Sequence, residues 1–182
     1  MTRFTPLDRA LLKGRQALVY DAIQSGRRGA VLAPHHLLLR SPELADHAQQ
    51  MGAYLRYDTV LEPRLSELVI LLTAQHWSCA YEWTCHEPIA RRSGLTDAVI
   101  SAIACQADPS FERDDERDLY VFSQRCLAGH SVDDRLFQSI SRRFGERGMV
   151  EIVCLIGYYS MLAMLLNTFE TPGCTSPPPV SA

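Results

Sequence analysis

The sequence predicts an all-α, multi-helix domain. Helix start and stop signals recur along the chain, and the alternating apolar/polar runs that mark strands do not occur. With 182 residues, 47% hydrophobic and 21% charged, the chain is long enough to close one compact core.

The first expected helix lies in "TPLDRALLKGRQALVYDAIQSG", with Thr5 as N-cap, Pro6 at the first helical position and Gly26 as the stop. The loop "GRRGAVLAPHH" follows. Ser41, Pro42 and Glu43 open the next helix with the same start chemistry. "EPRLSELVILLTAQHW" has Pro63 near its start and is apolar almost all round, the pattern of a buried helix. The run after Ser78 continues to Gly94, a C-terminal cap, with Pro88 expected to kink or restart it. "LTDAVISAIACQAD", "SFERDDERDLYVFSQRCLAG", "SVDDRLFQSISRRFG" and "GMVEIVCLIGYYSMLAMLLNTFE" complete the set, Ser131 and Asp134 lying close to a capping-box spacing. Residues 1–170 read as one domain without internal repeat, and the Pro-rich tail 171–182 reads as disordered.

A net charge of −3 and the lack of a basic run leave no electrostatic footprint for nucleic acid or an acidic membrane surface. The apolar run 152–166 is about fifteen residues, short of the roughly twenty that span a bilayer, and reads as a core or subunit-interface helix. The opening "MTRFTPLDRALLKG" lacks the apolar core and cleavage site of a secretory signal. Cys105 and Cys154 sit in apolar helical runs and read as free buried thiols, so the expected compartment is a reducing cytoplasm.

The chemistry concentrates in "HWSCAYEWTCHEP", residues 76–88, which holds two histidines, two cysteines, two glutamates and both tryptophans. On a helix starting at Ser78, Cys79, Glu82 and His86 fall within about 60° of one another. Trp83 lies at the edge of that stripe and Cys85 roughly 120° away. Cys79 would then occupy the first turn, where the helix N-terminus favours thiolate. Glu67, on the preceding helix, shares its face with Ile70, Leu71 and Ala74. A carboxyl held there is pushed toward its neutral form unless it finds a partner, an environment suited to acid/base work. Plainer roles stand beside these. Glu67 can complement a helix dipole, Glu82 and His86 can form a structural pair, Cys79 can be inert core, and Tyr81 and the tryptophans can be packing. His76, Cys79, Glu82 and His86 match no common zinc spacing. His35 and His36 can reach the site, but the loop favours a surface position.

"RLSELVILLTAQHWSCAYEWTCHEPIARRSGL" resembles the core motif of the carboxymuconolactone decarboxylase and alkylhydroperoxidase-D superfamily. There a glutamate is followed twelve residues on by a Cys-x-x-Cys segment and then a histidine. Glu67, Cys79 and His86 stand in that pattern, and the flanks extend the resemblance over residues 25 to 170. The departure is Glu82, which stands where the peroxidase branch has its second cysteine. Cys85 is no local substitute, since six helical residues carry it about 9 Å along the axis, beyond disulfide reach of Cys79. The chain is therefore closer to the decarboxylase-like branch.

That resemblance implies an alkylhydroperoxidase-D-like helical protomer in a homotrimer or hexamer, without metal or organic cofactor, acting on a small carboxylic acid or lactone. His86 would be the general acid/base, with Glu82 orienting it or sharing its proton and Glu67 completing the relay. Arg40 or Arg64 would hold the substrate carboxylate, with His76, Tyr81 and Trp83 lining the site. The expected activity is a carboxy-lyase acting on a carboxylated lactone or related acid. The alternatives are a one-cysteine hydroperoxidase using Cys79 and a non-catalytic oligomeric scaffold.

Overall fold

The computed structural model describes residues 2–174, and these are helical, with no strand among them. A single 3-10 turn, Arg9–Leu11, precedes α1 (Gly14–Ser25), α2 (Ala33–Leu38), α3 (Pro42–Tyr57) and α4 (Pro63–His76). Then come α5 (Ala80–Arg92), α6 (Asp97–Ala104), α7 (Asp114–Leu127) and α8 (Asp134–Thr168).

α4 is the axis of the fold. Every residue from Arg64 to Ala74 is buried, as an all-round apolar pattern requires. It packs against α5, α6, α7 and α8, while α2 and α3 pack on α8 and α1 on α3. The α4–α5 connection is tight: Ser78 takes a left-handed φ of 49°, and the Cys79 N–H reaches back to the Ala74 carbonyl at 2.8 Å. α5 ends as expected at Gly94 (φ 95°), whose following residue Leu95 donates to the Ala90 carbonyl at 3.0 Å in a Schellman closure.

Several local expectations are corrected. The first α-helix starts at Gly14, not near Pro6, because Asp8 caps one short turn by accepting from the Ala10 N–H and Leu12 is extended. The segment before it is tied to the end of α8. The Arg3 N–H donates to the Phe169 carbonyl, and the Phe4 ring stacks on Phe169. Pro88 removes one N–H without dividing α5. The cap of α8 is Asp133, accepting from the Leu136 N–H, rather than Ser131. Cys105, at the end of α6, is exposed. The tail is described as far as Cys174, which is disulfide-bonded to Cys85 and donates its N–H to the Thr84 hydroxyl at 2.8 Å. The rest of the tail expectation lies outside the described residues.

The two C-terminal runs join into α8, interrupted at Gly145, where φ is 68°. By length and composition α8 could cross a bilayer, but half of its apolar window is buried inside the fold. Glu151 anchors it. Its Oε1 accepts from the Tyr54 hydroxyl (2.5 Å) and Arg147 Nε (2.7 Å), and its Oε2 from the Thr59 hydroxyl and the Val60 N–H, both at 2.7 Å. Burial alone would raise this carboxyl, but the donors outweigh it and hold the pKa at about 2. A depressed carboxyl stabilises the fold above its unfolded value and loses that contribution as pH falls toward about 2. Glu151→Gln is expected to cost roughly 2–3 kcal/mol at pH 7. Urea unfolding should show the gap to wild type shrinking at pH 3, and an undiminished gap would refute the charge-based account.

Candidate functional site

α4 and α5 lie side by side and bring Glu67, Glu82 and His86 into one buried group. His86 Nδ1 is 2.7 Å from Glu67 Oε2, and His86 Nε2 is 3.5 Å from Glu82 Oε2. The exposures of Glu67, Glu82 and His86 are 5%, 3% and 4%. Glu67 also faces Arg56 of α3, whose Nη1 lies 3.8 Å from Glu67 Oε1. The Tyr159 ring of α8 meets the His86 ring edge-on, with centroids 5.1 Å apart, fixing the imidazole plane. Tyr158 packs beside it because Gly52 on α3 leaves room: a Cβ there would lie 2.2 Å from the Tyr158 hydroxyl.

The chain of groups is directional. Glu67, flanked by Arg56, sits at one end, His86 in the middle and Glu82 at the other end. Glu82 Oε1 is buried and has no hydrogen-bond partner among the described residues. Burial pushes the Glu82 carboxyl up, the Glu67 charge adds to this, and His86, Arg28 and Arg56 oppose it. Burial thus disfavours the charged form of Glu82, and this residue lines a small chamber. That chamber, of about 20 Å³, is lined by Arg28, His35, Tyr81, Cys85 and Tyr158 besides Glu82 and His86. It has room for about one water molecule.

An outer cavity of about 390 Å³ adjoins it, with Leu32 and Tyr81 common to both. Val31, His36, Arg40 and residues 171–174 form its other walls. The Tyr81 hydroxyl accepts from the Ala33 N–H at 3.4 Å, and burial pushes its pKa up to about 12. It therefore keeps a proton to donate.

The remaining candidates are dispersed. Cys79 is the N-cap of α5, not part of its first turn, and opens with Trp83 on a separate cavity lined by Ala74, Gln75 and Ala104. Burial pushes its thiol up to about 11, with the Glu82 charge adding to this against hydrogen bonds from the α5 backbone. The expected thiolate is corrected accordingly. His76 lines a third cavity with Gln106 and Tyr120. Arg64 is buried and bound to Glu116, Asp115 and Glu62, so it holds no substrate. Arg40 lines the outer cavity, but its guanidinium donates to the His36 and Thr5 carbonyls and stacks on Phe4.

Sequence reasoning also placed Cys85 away from the site. With Cys79 outside the helix, the stripe recentres on Glu82, Cys85 and His86, and Cys85 lines the chamber. Its partner Cys174 lies 89 residues on, with Cα atoms 5.4 Å apart. His35 is buried rather than on the surface. Its Nδ1 accepts from the Leu32 N–H at 3.0 Å, and burial, helped by the charges of Arg28 and His36, pushes it down to about 3. It is a neutral wall of the chamber. His36 is half-buried, accepts from the Leu7 N–H, and borders the outer cavity.

Residues 42–113 match the model of the carboxymuconolactone decarboxylase family. In structure the chain resembles an uncharacterized peroxidase-related protein with an alkylhydroperoxidase AhpD core from Ralstonia eutropha JMP134. The TM-score is 0.75 at 17% identity, over 96% of this chain and 93% of that one. It also resembles the debrominase Bmp8, both in its apo form and as a cysteine-to-alanine variant in complex with 2,3,4-tribromopyrrole. Each gives a TM-score of 0.69 at 16% identity, over 94% of this chain and 91% of that one. No curated protein matches by sequence. The structural likenesses are of fold, and the matched segment carries Glu67, Cys79, Glu82 and His86. The chain thus carries a carboxymuconolactone decarboxylase family match over residues 42–113 and shares its fold with an alkylhydroperoxidase AhpD core.

Proposed function

We propose that the chain is a carboxy-lyase that decarboxylates a small carboxylated lactone or related acid by acid/base catalysis, with no organic cofactor. The observation that carries this reading is the buried Glu67–His86–Glu82 series ending in an unpartnered Glu82 oxygen at a chamber. Loss of carbon dioxide breaks a carbon–carbon bond and leaves an electron pair, which a conjugated carbonyl takes up as a dienolate. Glu82, protonated at the outset, delivers a proton to carbon, and His86 restores it from water while Glu67 orients the imidazole. The neutral phenol of Tyr81 is placed to donate to the developing dienolate oxygen. The outer cavity has the size of a small-ligand site. Its occupant would meet the chamber at Leu32 and Tyr81, which line both.

A second reading rests on Cys85 and Cys174 rather than Cys79. A peroxide would convert the Cys85 thiol to sulfenic acid with release of an alcohol or water. The Cys174 thiol would then displace water to give the disulfide, and an external dithiol of the cytoplasm would reduce it.

One experiment separates the two. Lactone decarboxylation is expected to be lost in His86→Ala and kept in Cys79→Ser and Cys85→Ser. Dithiol-dependent peroxide consumption that disappears in both Cys85→Ser and Cys174→Ser, with no lactone turnover in wild type, would replace the lyase reading. The lyase reading includes self-association as a trimer or hexamer, supported by exposed Met51 on α3 and Val150 and Val153 on α8. Sedimentation at micromolar concentration tests it, and a monomer would remove it.

A further inference from the structure

An acid acting on a carboxylate ligand needs a cation nearby, and most arginines around this site are already committed. Arg64 is held by three carboxylates, and Arg40 by two backbone carbonyls and the Phe4 ring. Arg56 pairs with Glu67 at 3.8 Å and is not among the residues that line the chamber. Arg28, in the loop between α1 and α2, lines the chamber itself. Among the described residues it makes no hydrogen bond and no ion pair. It is half-buried where Glu82 and His86 are buried, which puts it toward the solvent side of the chamber.

We propose that Arg28 is the carboxylate anchor of this site, pairing with an anionic ligand group whose other contact is the unpartnered Oε1 of Glu82. The complementarity is specific. A guanidinium presents a planar fork of donors, and a protonated Glu82 adds an O–H donor from the far side. A carboxylate satisfies both, with the rest of the ligand extending into the outer cavity that shares Leu32 and Tyr81 with the chamber. His35, neutral and buried, walls the site without competing for the anion. The inference deepens the lyase reading and takes the ligand's class from it, but it is tested by binding alone.

Acetate titrated into the full-length protein at pH 6 and constant ionic strength, followed through the His35 and His86 ring resonances, reads occupancy of the chamber. Wild type is expected to respond to acetate but not to acetamide, which has the same shape without the charge. Arg28→Met is expected to weaken acetate at least tenfold, Arg28→Lys to retain part of the affinity, and Arg40→Met to leave it unchanged. Equal affinity in wild type and Arg28→Met, no response in wild type, or loss on Arg40→Met would each overturn the assignment. An equal response to chloride would overturn the carboxylate class. Arg28-dependent acetate binding in a protein that turns over no lactone would uphold Arg28 and refute the lyase reading.

Discussion

Glu82→Gln is expected to lower lactone turnover by roughly 10²–10⁴-fold, the usual contribution of a positioned proton donor. It should also make the protein more stable as pH rises. The two effects have one cause. Glu82 is 3% exposed, and its Oε1 has no hydrogen-bond partner among the described residues. Burial, with the Glu67 charge, lifts its carboxyl above the ordinary range despite His86, Arg28 and Arg56. A group whose pKa is raised on folding contributes stability that is complete below the unfolded value and disappears as pH rises through the folded one. Wild type therefore carries a burden at alkaline pH that glutamine, of the same shape and never ionised, does not. Melting temperatures at pH 5 and pH 8 should show the variant gaining on wild type at the higher pH. Wild-type turnover should fall as pH rises through the lifted Glu82 value, because the acid form does the work. A variant that keeps its rate would show that the relay does not end at Glu82. A variant that loses rate without the pH-dependent gain would show that Glu82 is ionised in the resting site.

The parts of this site that were legible in the sequence are the local ones. The all-round apolar run of α4 marked it as central, and the i, i+4 spacing of Glu82 and His86 put both on one face of α5. The interval between Glu67 and the α5 motif pointed to two adjacent helices. Local reasoning failed where a single backbone angle mattered. The left-handed Ser78 delays the helix start, so Cys79 becomes a cap and leaves the stripe, and Cys85 takes a place there. It failed again for contacts made across the chain. Tyr158 and Tyr159 come from α8, Arg56 from α3, and Cys174 from the tail, and no periodicity within a helix announces them. Arg28 was hidden differently: in sequence it is one of a pair in a polar loop, and only the structure shows that Arg27 pairs with Asp58 while Arg28 has no ion pair among the described residues.

The same limit explains Arg64, which sequence offered as a substrate cation and which now carries the largest expected effect on stability. It sits in the first turn of α4, where the helix dipole disfavours a positive charge. What holds it is the first turn of α7, whose Asp115 and Glu116 lie at a helix end that favours negative charge. Arg64 Nη2 is 2.7 Å from Asp115 Oδ2, and Nη1 binds Glu116 Oε1. Burial would raise the Asp115 carboxyl, but the hydrogen bond from Arg64 and the Glu116 N–H bring it below its ordinary value. Removing the arginine alone strands Glu116, which is 3% exposed. Arg64→Met is therefore expected to cost about 3–5 kcal/mol, since an unpaired buried charge remains. That is a large share of the roughly 5–15 kcal/mol that a domain of this kind has. The double variant Arg64→Met/Glu116→Leu should recover most of the loss, because both buried charges leave together and comparable volume replaces them. Chemical denaturation of the three proteins decides the matter. A double variant no more stable than Arg64→Met would mean that the pair holds α4 to α7 by its hydrogen-bond geometry rather than by neutralising charge. Arg28-dependent acetate binding should persist in whatever fraction of Arg64→Met remains folded, because the α4–α7 ion pairs and the chamber share no residue.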